Sequence, residues 1–511
     1  MYSVVSTAIL HGIEAAGVSV ETDISEGMPV FEMVGYLGSE VREAKERVRT
    51  ALRNCGFHLP VKRITVNILP ADLKKSGSGF DLPVAVSLLG AMGEIEDTRA
   101  NDVFVVGELG LNGCIHAING VLPMVSESVS KNRKICVVPK DNYKEASLIE
   151  EATVIGVSHI SEVLAFFNEG VIPQIDPTLP KDEGTNEKPF DFSNINGQYM
   201  AKKAAEICAC GMHNLLLVGP PGGGKTMIAK AIPSILPKLT TSEKIELSKI
   251  YSVSGLLKDR DALMDQRPFR SPHHTVSVAG LTGGGANVIR PGEISLATYG
   301  VLFLDELPEF QKNTLEILRQ PLEEKVIRIS RAKGDFVYPA DFLLICAMNP
   351  CRCGYFPNFN KCHCDKNSVR SYLNRVSQPL LDRIDCCVET KEVKFSDLTK
   401  DEKNESSATI RARVKKVHQI QKKRYADRPY RYNSQIPSAE IMDVCGLDDE
   451  SLKFLEDNFE KASLTARTYH RLLRVSRTIA DMEGSEHVKI THLREAFLFR
   501  SMDKNYWEKY L

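Results

Sequence analysis

The sequence predicts an α/β protein: a doubly wound parallel sheet in the middle of the chain, an α+β domain before it and an all-α domain after it. Three observations carry that prediction. The run Leu215-Leu216-Leu217-Val218 is apolar throughout, gives way to the glycine-rich stretch Gly219 to Gly224, and is followed by the helical pattern Met227-Ile228-Ala229-Lys230-Ala231. A second apolar run, Val301-Leu302-Phe303-Leu304, ends in the acidic pair Asp305-Glu306, and a third is Phe342-Leu343-Leu344-Ile345-Cys346-Ala347; all three read as strands buried on both faces. From about Ser396 to Leu511 the spacing turns helical, with breaks at Pro437 and Gly446.

The loop after the first of these strands reads Gly219-Pro220-Pro221-Gly222-Gly223-Gly224-Lys225-Thr226, the pattern G-x-x-x-x-G-K-[ST] in strand-loop-helix context. Glycines let backbone N–H groups turn inward around phosphates, and the helix N-terminus adds its positive end. Lys225 is placed to reach the β- and γ-phosphates of ATP, and the Thr226 hydroxyl to take Mg²⁺. The acids at the end of the second strand lie where parallel sheets bind ligands. Asp305 is assigned to hold the Mg²⁺ through water and Glu306 to orient and deprotonate the attacking water, a division that suits hydrolysis rather than storage of the nucleotide.

Composition narrows the class. At 511 residues the chain is long enough for about three domains. Its 43% hydrophobic and 26% charged content is ordinary for a soluble globular protein, and a formal net charge of -1 means that any DNA contact must come from a local basic surface. The segment Met1 to Val18 has no basic n-region and carries His11 and Glu14 inside its apolar stretch, which argues against a signal peptide. No run approaches the roughly 18 apolar residues of a membrane span. Thirteen cysteines, an odd count without an export signal, point to a reducing cytoplasm and away from a disulfide framework.

Pro173, Pro177, Pro180 and Pro189, with the polar stretch Lys181 to Lys188 among them, mark residues 172–192 as an interdomain linker. The expected division is therefore an N-terminal domain over 1–171, a nucleotide core over 193–395 and a helical lid over 396–511. In the first of these, β-rich runs such as Ile64-Thr65-Val66-Asn67-Ile68 and Val103-Phe104-Val105-Val106 alternate with helical patterns such as Val41 to Leu52.

Several segments together resemble the AAA+ ATPases of the ComM type, the YifB or magnesium-chelatase-like proteins, over nearly the whole chain. In the first domain these are Gly12-Ile13-Glu14-Ala15, the stretch Val41 to Arg49, Ile64-Thr65-Val66-Asn67 and the stretch Gly77 to Pro83. In the core they are Pro268-Phe269-Arg270-Ser271-Pro272-His273-His274, Arg290-Pro291-Gly292-Glu293 and Leu380-Leu381-Asp382-Arg383-Ile384-Asp385. The resemblance implies a Lon-protease-like (S5-like) first domain, an AAA+ core and a helical lid. It makes Asn349 the polar sensor of the γ-phosphate, Arg383 the arginine finger and Arg467 the second sensor on the lid. The rival for Arg383 is an internal salt bridge with Asp382 or Asp385. A finger acting in trans implies a homo-oligomeric ring, by analogy a hexamer. It further implies a motor that acts on DNA, promoting branch migration in recombination and natural transformation.

Two segments are candidates for meeting a threaded strand: the glycine-rich Gly280 to Gly285, read as a flexible tip, and the basic turn Arg331-Ala332-Lys333-Gly334 between two β-rich runs. Arg331 and Lys333 would meet phosphates there, although basic turns are commonly solvated edges. The basic, tyrosine-interleaved stretch Arg411 to Tyr432 reads more simply as a lid helix packed on its neighbours than as a base-stacking surface. Cys351-Arg352-Cys353 and Cys362-His363-Cys364 supply four soft ligands in two pairs, the number a structural Zn²⁺ takes, with free thiols as the alternative.

In a Lon-like fold Gly77-Ser78-Gly79 falls about where a nucleophile belongs, but Leu122 occupies the place of the base lysine, so the domain is read as non-proteolytic. The rival readings of the whole chain are a magnesium-chelatase ATPase subunit, an ATP-dependent protein-remodelling or protease-like factor, and a σ-factor activator. Against the last, this sequence shows no recognisable helix-turn-helix region at either end.

Overall fold

A computed structural model describes residues 1–95, 102–174, 190–257, 263–285, 289–331, 334–392, 404–460 and 465–500. The first part of the chain builds a seven-stranded mixed sheet. Its strands are β1 (Tyr2–His11), β2 (Glu14–Ser25), β3 (Val30–Val34), β4 (Arg63–Leu69), β5 (Val103–Val105), β6 (Ile135–Pro139) and β7 (Thr153–Val157), in the order β3-β4-β2-β1-β5-β6-β7. β1, β2 and β4 pair antiparallel, and β3 against β4 and the β1-β5-β6-β7 side pair parallel. Two helices, α1 (Ser39–Asn54) and α2 (Asp81–Met92), cover the antiparallel part; α2 is buried along almost its whole length, which is why its sequence reads apolar without a stripe. The helix expected within Val41 to Leu52 and the strand expected within Ile64 to Ile68 both form.

The middle of the chain forms a five-stranded, wholly parallel sheet in the order β9-β10-β13-β8-β14. Its strands are β8 (Leu215–Val218), β9 (Phe269–Arg270), β10 (Val301–Leu304), β13 (Leu343–Met348) and β14 (Cys386–Glu389), with the hairpin β11 (Val326–Arg331) and β12 (Gly334–Pro339) standing outside it. All residues of β8, β10 and β13 are buried, as strands covered on both faces must be. Register fixes the rims. Val218 lies opposite Met348 and Glu389, and Leu304 opposite Cys346, so Gly219, Asp305, Asn349 and Thr390 all emerge at the same end. Asn214 and Asp385 lie at the other.

The sheet is covered by α3 (Tyr199–Gly211), α4 (Lys225–Ile235) and α5 (Thr241–Ser254). Among the described residues the C-terminal part contributes longer helices α6 (Ser407–Arg424), α7 (Asp449–Phe459), α8 (Ala466–Glu483) and α9 (Ile490–Leu498) and no strand. These helices do not build a separate core: Ile410, Val414, Leu472, Val475 and Leu493 share one apolar cluster with Ile232, Leu215, Phe303 and Ile345. The basic stretch is absorbed by this packing in part, while Lys415, Lys416, Lys422, Lys423 and Arg431 stay exposed. Arg413 pairs with Glu206 at 2.6 Å and Glu405 at 2.7 Å, Arg428 pairs with Glu440 at 2.9 Å, and Tyr425 and Tyr430 are buried.

One expectation is corrected. Gly280 to Gly285 is not a flexible tip: Gly280 to Thr282 belong to a short helix with Leu281 buried, and Gly283–Gly284 pair antiparallel with Arg290–Pro291. A Cβ on Gly283 would lie 2.5 Å from the Arg290 carbonyl oxygen, so the glycine is there for close approach of two backbones. Lys333 and most of the proposed linker lie outside the described residues; Arg331 closes the hairpin opposite Gly334.

Beneath the lid, Asp481 is fully buried and receives Arg424 at 2.5 and 2.8 Å, Arg477 at 2.9 Å and Asn433 at 2.8 Å. Removing one partner of such a network leaves buried charge without compensation. Asp481→Ala is expected to cost about 3–5 kcal/mol, read as a lowered midpoint in urea followed by circular dichroism. An unchanged midpoint would show that the network is not holding the helices together.

Candidate nucleotide site

The phosphate loop is shaped from beneath. Thr390, the residue after β14, donates its amide to the Val218 carbonyl at 2.7 Å and lies directly under the loop. A Cβ on Gly219 would stand 2.2 Å from its Oγ1 and 2.4 Å from its main-chain oxygen, and one on Gly223 2.8 Å from the same hydroxyl. Gly222 and Gly224 adopt φ of 74° and 76°, in the left-handed region open to glycine. α4 begins at Lys225, so its free amides face the loop's concavity.

Within that loop Lys225 is buried, and its ammonium donates to the carbonyls of Gly219 at 2.7 Å and Pro220 at 2.9 Å and to Asn349 Oδ1 at 3.1 Å. Burial pulls its pKa below the usual lysine value while Asp305 opposes the shift. The Thr226 hydroxyl donates to Asp305 Oδ2 at 3.0 Å. Two hard oxygen donors from different elements thus meet at one point, the donor chemistry Mg²⁺ takes. Glu306 leaves the strand with φ 52°, its own amide held by Asp305 Oδ1 at 2.9 Å, and its carboxylate reaches His274 Nδ1 at 3.4 Å. His274 carries no functional signal in the sequence; the pairing of β9 beside β10 brings it to the acid pair.

Arg383 and Arg467 are elsewhere. Arg383 precedes β14, at the rim opposite the phosphate loop, and strands of this length separate the two rims by roughly 13 Å. It is buried, donates to the Pro379 carbonyl at 2.6 Å and pairs with the exposed Glu323; the rival partners Asp382 and Asp385 are not its hydrogen-bond acceptors. Asp385 instead faces Arg471 at 3.8 Å and His213 at 3.8 Å. Burial works against its charge, yet His213, Arg471 and the Asn214 amide hold its carboxyl well below the ordinary range. Arg467, at the start of α8, is exposed and 3.8 Å from Asp382. The chain therefore gathers Lys225, Thr226, Asp305, Glu306 and Asn349 at one rim, and Arg383 and Arg467 at the other.

Cys351, Cys353, Cys362 and Cys364 come together immediately beyond Asn349, with all four Sγ atoms within 4.8 Å of one another. The separations include 3.3, 3.5 and 3.8 Å. Four thiolates around one ion at a Zn–S distance of about 2.3 Å stand about 3.8 Å apart, so the donor set fits Zn²⁺. Although burial opposes it, hydrogen bonds from the Tyr355 amide and the neighbouring thiols bring Cys353 down to about 6, whereas burial pushes Cys362 up to about 12.

In the first domain Ser78 donates to Glu108, beside a cavity of about 290 Å³ that is also lined by His11, Lys74, Asn119 and Arg290. Leu122 is fully buried, and Lys75 turns its ammonium to the Pro70 carbonyl.

A phosphate loop, two hard oxygen donors and an amide side chain on one rim of a parallel sheet, under a helical cap, define the class: a P-loop ATPase of AAA+ architecture. Models of magnesium chelatase subunit ChlI match residues 191–398 and 20–142, and a model of that subunit's C-terminal part matches 404–500. The chain is 40% identical over 497 residues to the competence protein ComM of Haemophilus influenzae, covering 96% of each chain. To YifB of Escherichia coli it is 40% identical over 503 residues, 98% of this chain and 97% of that one. A weaker likeness, 23% identity over 177 residues, links 32% of the chain to 21% of the Lon protease of Geobacter metallireducens. The chain belongs to the ComM/YifB family of magnesium-chelatase-like AAA+ proteins. Among the described residues no helix is long and apolar enough to cross a membrane.

The close approach over Thr390 makes a specific demand on the loop. Gly219→Ala is expected to weaken binding of a fluorescent ATP analogue by at least about tenfold, because the new methyl displaces the loop from Thr390. Wild-type affinity in this variant would show that the loop's shape does not depend on that contact.

Proposed function

We propose that this protein is an ATP-hydrolysing ring motor that acts in the cytoplasm on branched or single-stranded DNA, promoting branch migration in homologous recombination and natural transformation. The observation that carries the reading is 40% identity over nearly the full length of a competence protein, combined with a complete set of hydrolytic groups on one rim. Thr226 and Asp305 would hold Mg²⁺, which supplies charge neutralisation at the β- and γ-phosphates. Lys225 binds those phosphates. Glu306 accepts a proton from water as its oxygen bonds to the γ-phosphorus and the bond to the bridging oxygen breaks; Asn349 orients that water. The four cysteines hold Zn²⁺ as a structural ion.

The distance between the rims supports action between subunits. Arg383 and Arg467 lie at the rim opposite their own phosphate loop, and each would serve the loop of a neighbour in a homo-oligomeric ring, most simply a hexamer. Glu323, exposed and paired with Arg383, is a partner that can be exchanged when a neighbour docks. The hairpin carrying Arg331 and Lys333 would face the strand in the pore. Ser78 has a carboxylate and no lysine as its hydrogen-bond partner, which supports a non-proteolytic first domain.

Two outcomes test this. Lys225→Ala and Arg383→Ala subunits, each inactive alone, are expected to regain part of the ATPase rate when mixed, since some interfaces then pair an intact loop with an intact arginine; no recovery in rings shown by mass to be mixed would exclude action in trans. With a labelled four-way junction, the wild type should convert it to forked duplexes with ATP, in a manner that weakens steeply with salt, while Glu306→Gln should bind the junction and leave it intact. An ATP-hydrolysing protein that neither binds nor moves junctions at low salt would overturn the DNA assignment.

A further inference from the structure

The cysteine cluster lies outside the hydrolytic machinery, and yet the residues flanking its cysteines touch the phosphate loop at two points and the segment beneath it at a third. Two residues before Cys351, Asn349 accepts the Lys225 ammonium at 3.1 Å. One residue after Cys353, Gly354 lies flat on the loop: with φ 87° it has no Cβ to place, and one built there would stand 2.5 Å from Pro221 Cδ and 2.9 Å from Pro221 Cγ. Just before Cys362, Lys361 forms an exposed ion pair with both carboxylate oxygens of Glu392 at 2.9 Å, and Glu392 lies two residues beyond Thr390, the residue on which Gly219 and Gly223 rest. The segment between the two cysteine pairs therefore grips the loop from its side and from its floor.

What holds that segment in shape is meagre without an ion. Its own apolar cluster contains only Cys351, Phe356, Cys362 and Val369 as buried members, far below what orders a unit by burial alone. Backbone support is local: the Gly354 amide donates to the Cys351 carbonyl at 3.0 Å and the Phe356 amide to Cys351 Sγ at 3.4 Å. A cross-link through four sulfurs closes the turn 351–354 onto 362–364 and fixes Gly354 and Lys361 relative to Asn349.

We propose that metal occupancy of this cluster sets the phosphate loop's affinity for nucleotide, with Zn²⁺ acting as the brace that presses Gly354 on Pro221 and anchors the floor through Lys361 and Glu392. This rests on the reading of the four thiols as a Zn²⁺ site, and the experiment separates the two claims. Full-length protein purified without chelator is analysed for zinc, and its affinity for a fluorescent ATP analogue is measured in parallel with thermal melting, before and after the metal is stripped under reducing conditions and then restored.

About one zinc per chain is expected, together with a loss of affinity of at least about tenfold on stripping, the size of a strong contact to a charged group, and its recovery with added Zn²⁺. Lys361→Ala and Gly354→Ala, which leave all four cysteines in place, should keep the zinc and still weaken nucleotide binding; they keep the test informative if stripping unfolds the chain. Zinc retained with wild-type affinity in both variants would overturn the coupling and leave the metal site standing. A protein free of zinc with its four thiols titratable, or with disulfides in their place, would overturn the metal reading, and unchanged nucleotide affinity on stripping would overturn the brace.

Discussion

Parallel register in five short strands is the constraint on which the rest of this molecule depends. Because β8, β10, β13 and β14 run in one direction and end within two residues of one another, whatever follows each strand is delivered to the same rim. Four loops of unrelated sequence thereby meet: Gly219 to Lys225, Asp305-Glu306, Asn349 and Thr390. None of these residues has chemistry of its own that hydrolyses a phosphoanhydride at a useful rate. Brought to one rim, a cation, two acids and an amide would act on the same few atoms in the mechanism proposed here. The all-buried character of β8, β10 and β13 is the same constraint seen from the sequence, since covering both faces of the sheet leaves only its rims for polar groups.

The opposite rim is tied to the helical C-terminal part rather than to solvent. Asn214 donates from its backbone to Asp385 at 3.0 Å and from its side chain to the Arg383 carbonyl at 2.9 Å, while Arg471 and Arg500 donate to the Ile384 carbonyl at 3.4 and 3.2 Å. The segment Arg383 to Asp385 is thus held jointly by the sheet and by α8. Arg467 is one helical turn before Arg471 on that helix. Arg467 reaches Asp382 beside Arg383, and Arg471 one turn on reaches the Ile384 carbonyl, so α8 contacts the residues on both sides of Arg383.

Much of this was legible from residue order, and the part that was not has a physical reason. Loop, acid pair and sensor each sit at the end of an apolar run, so sequence alone gives both their chemistry and their rim. Thr390 was silent because a residue that shapes a glycine loop from below acts through its volume and its backbone oxygen, and neither leaves a pattern. Gly354 was silent for the same reason. His274 needed the pairing of β9 with β10, and Glu323 needed a tertiary approach across 60 residues of chain. The glycine-rich insert was misread because glycine serves both freedom and close approach, and only the antiparallel partner Arg290-Pro291 decides between them.

The acid pair shows how a backbone separates two like groups. Adjacent carboxylates on an extended strand point to opposite faces, and only one would meet the phosphate loop. Here the strand stops at Leu304, Asp305 keeps its side chain toward Thr226, and Glu306 turns through a left-handed conformation at φ 52°, ψ 45°. For a non-glycine residue that conformation costs of order 1 kcal/mol, and it persists because the Asp305 carboxylate accepts the Glu306 amide and the Glu309 amide donates to the Glu306 carbonyl at 2.8 Å. The turn leaves the Glu306 carboxylate exposed and against His274, away from the Thr226 hydroxyl. On the proposed mechanism one acid would thereby serve the metal-binding oxygens while the other would take a proton, and it is the main chain, not the identity of the side chains, that sends the two carboxylates to different places.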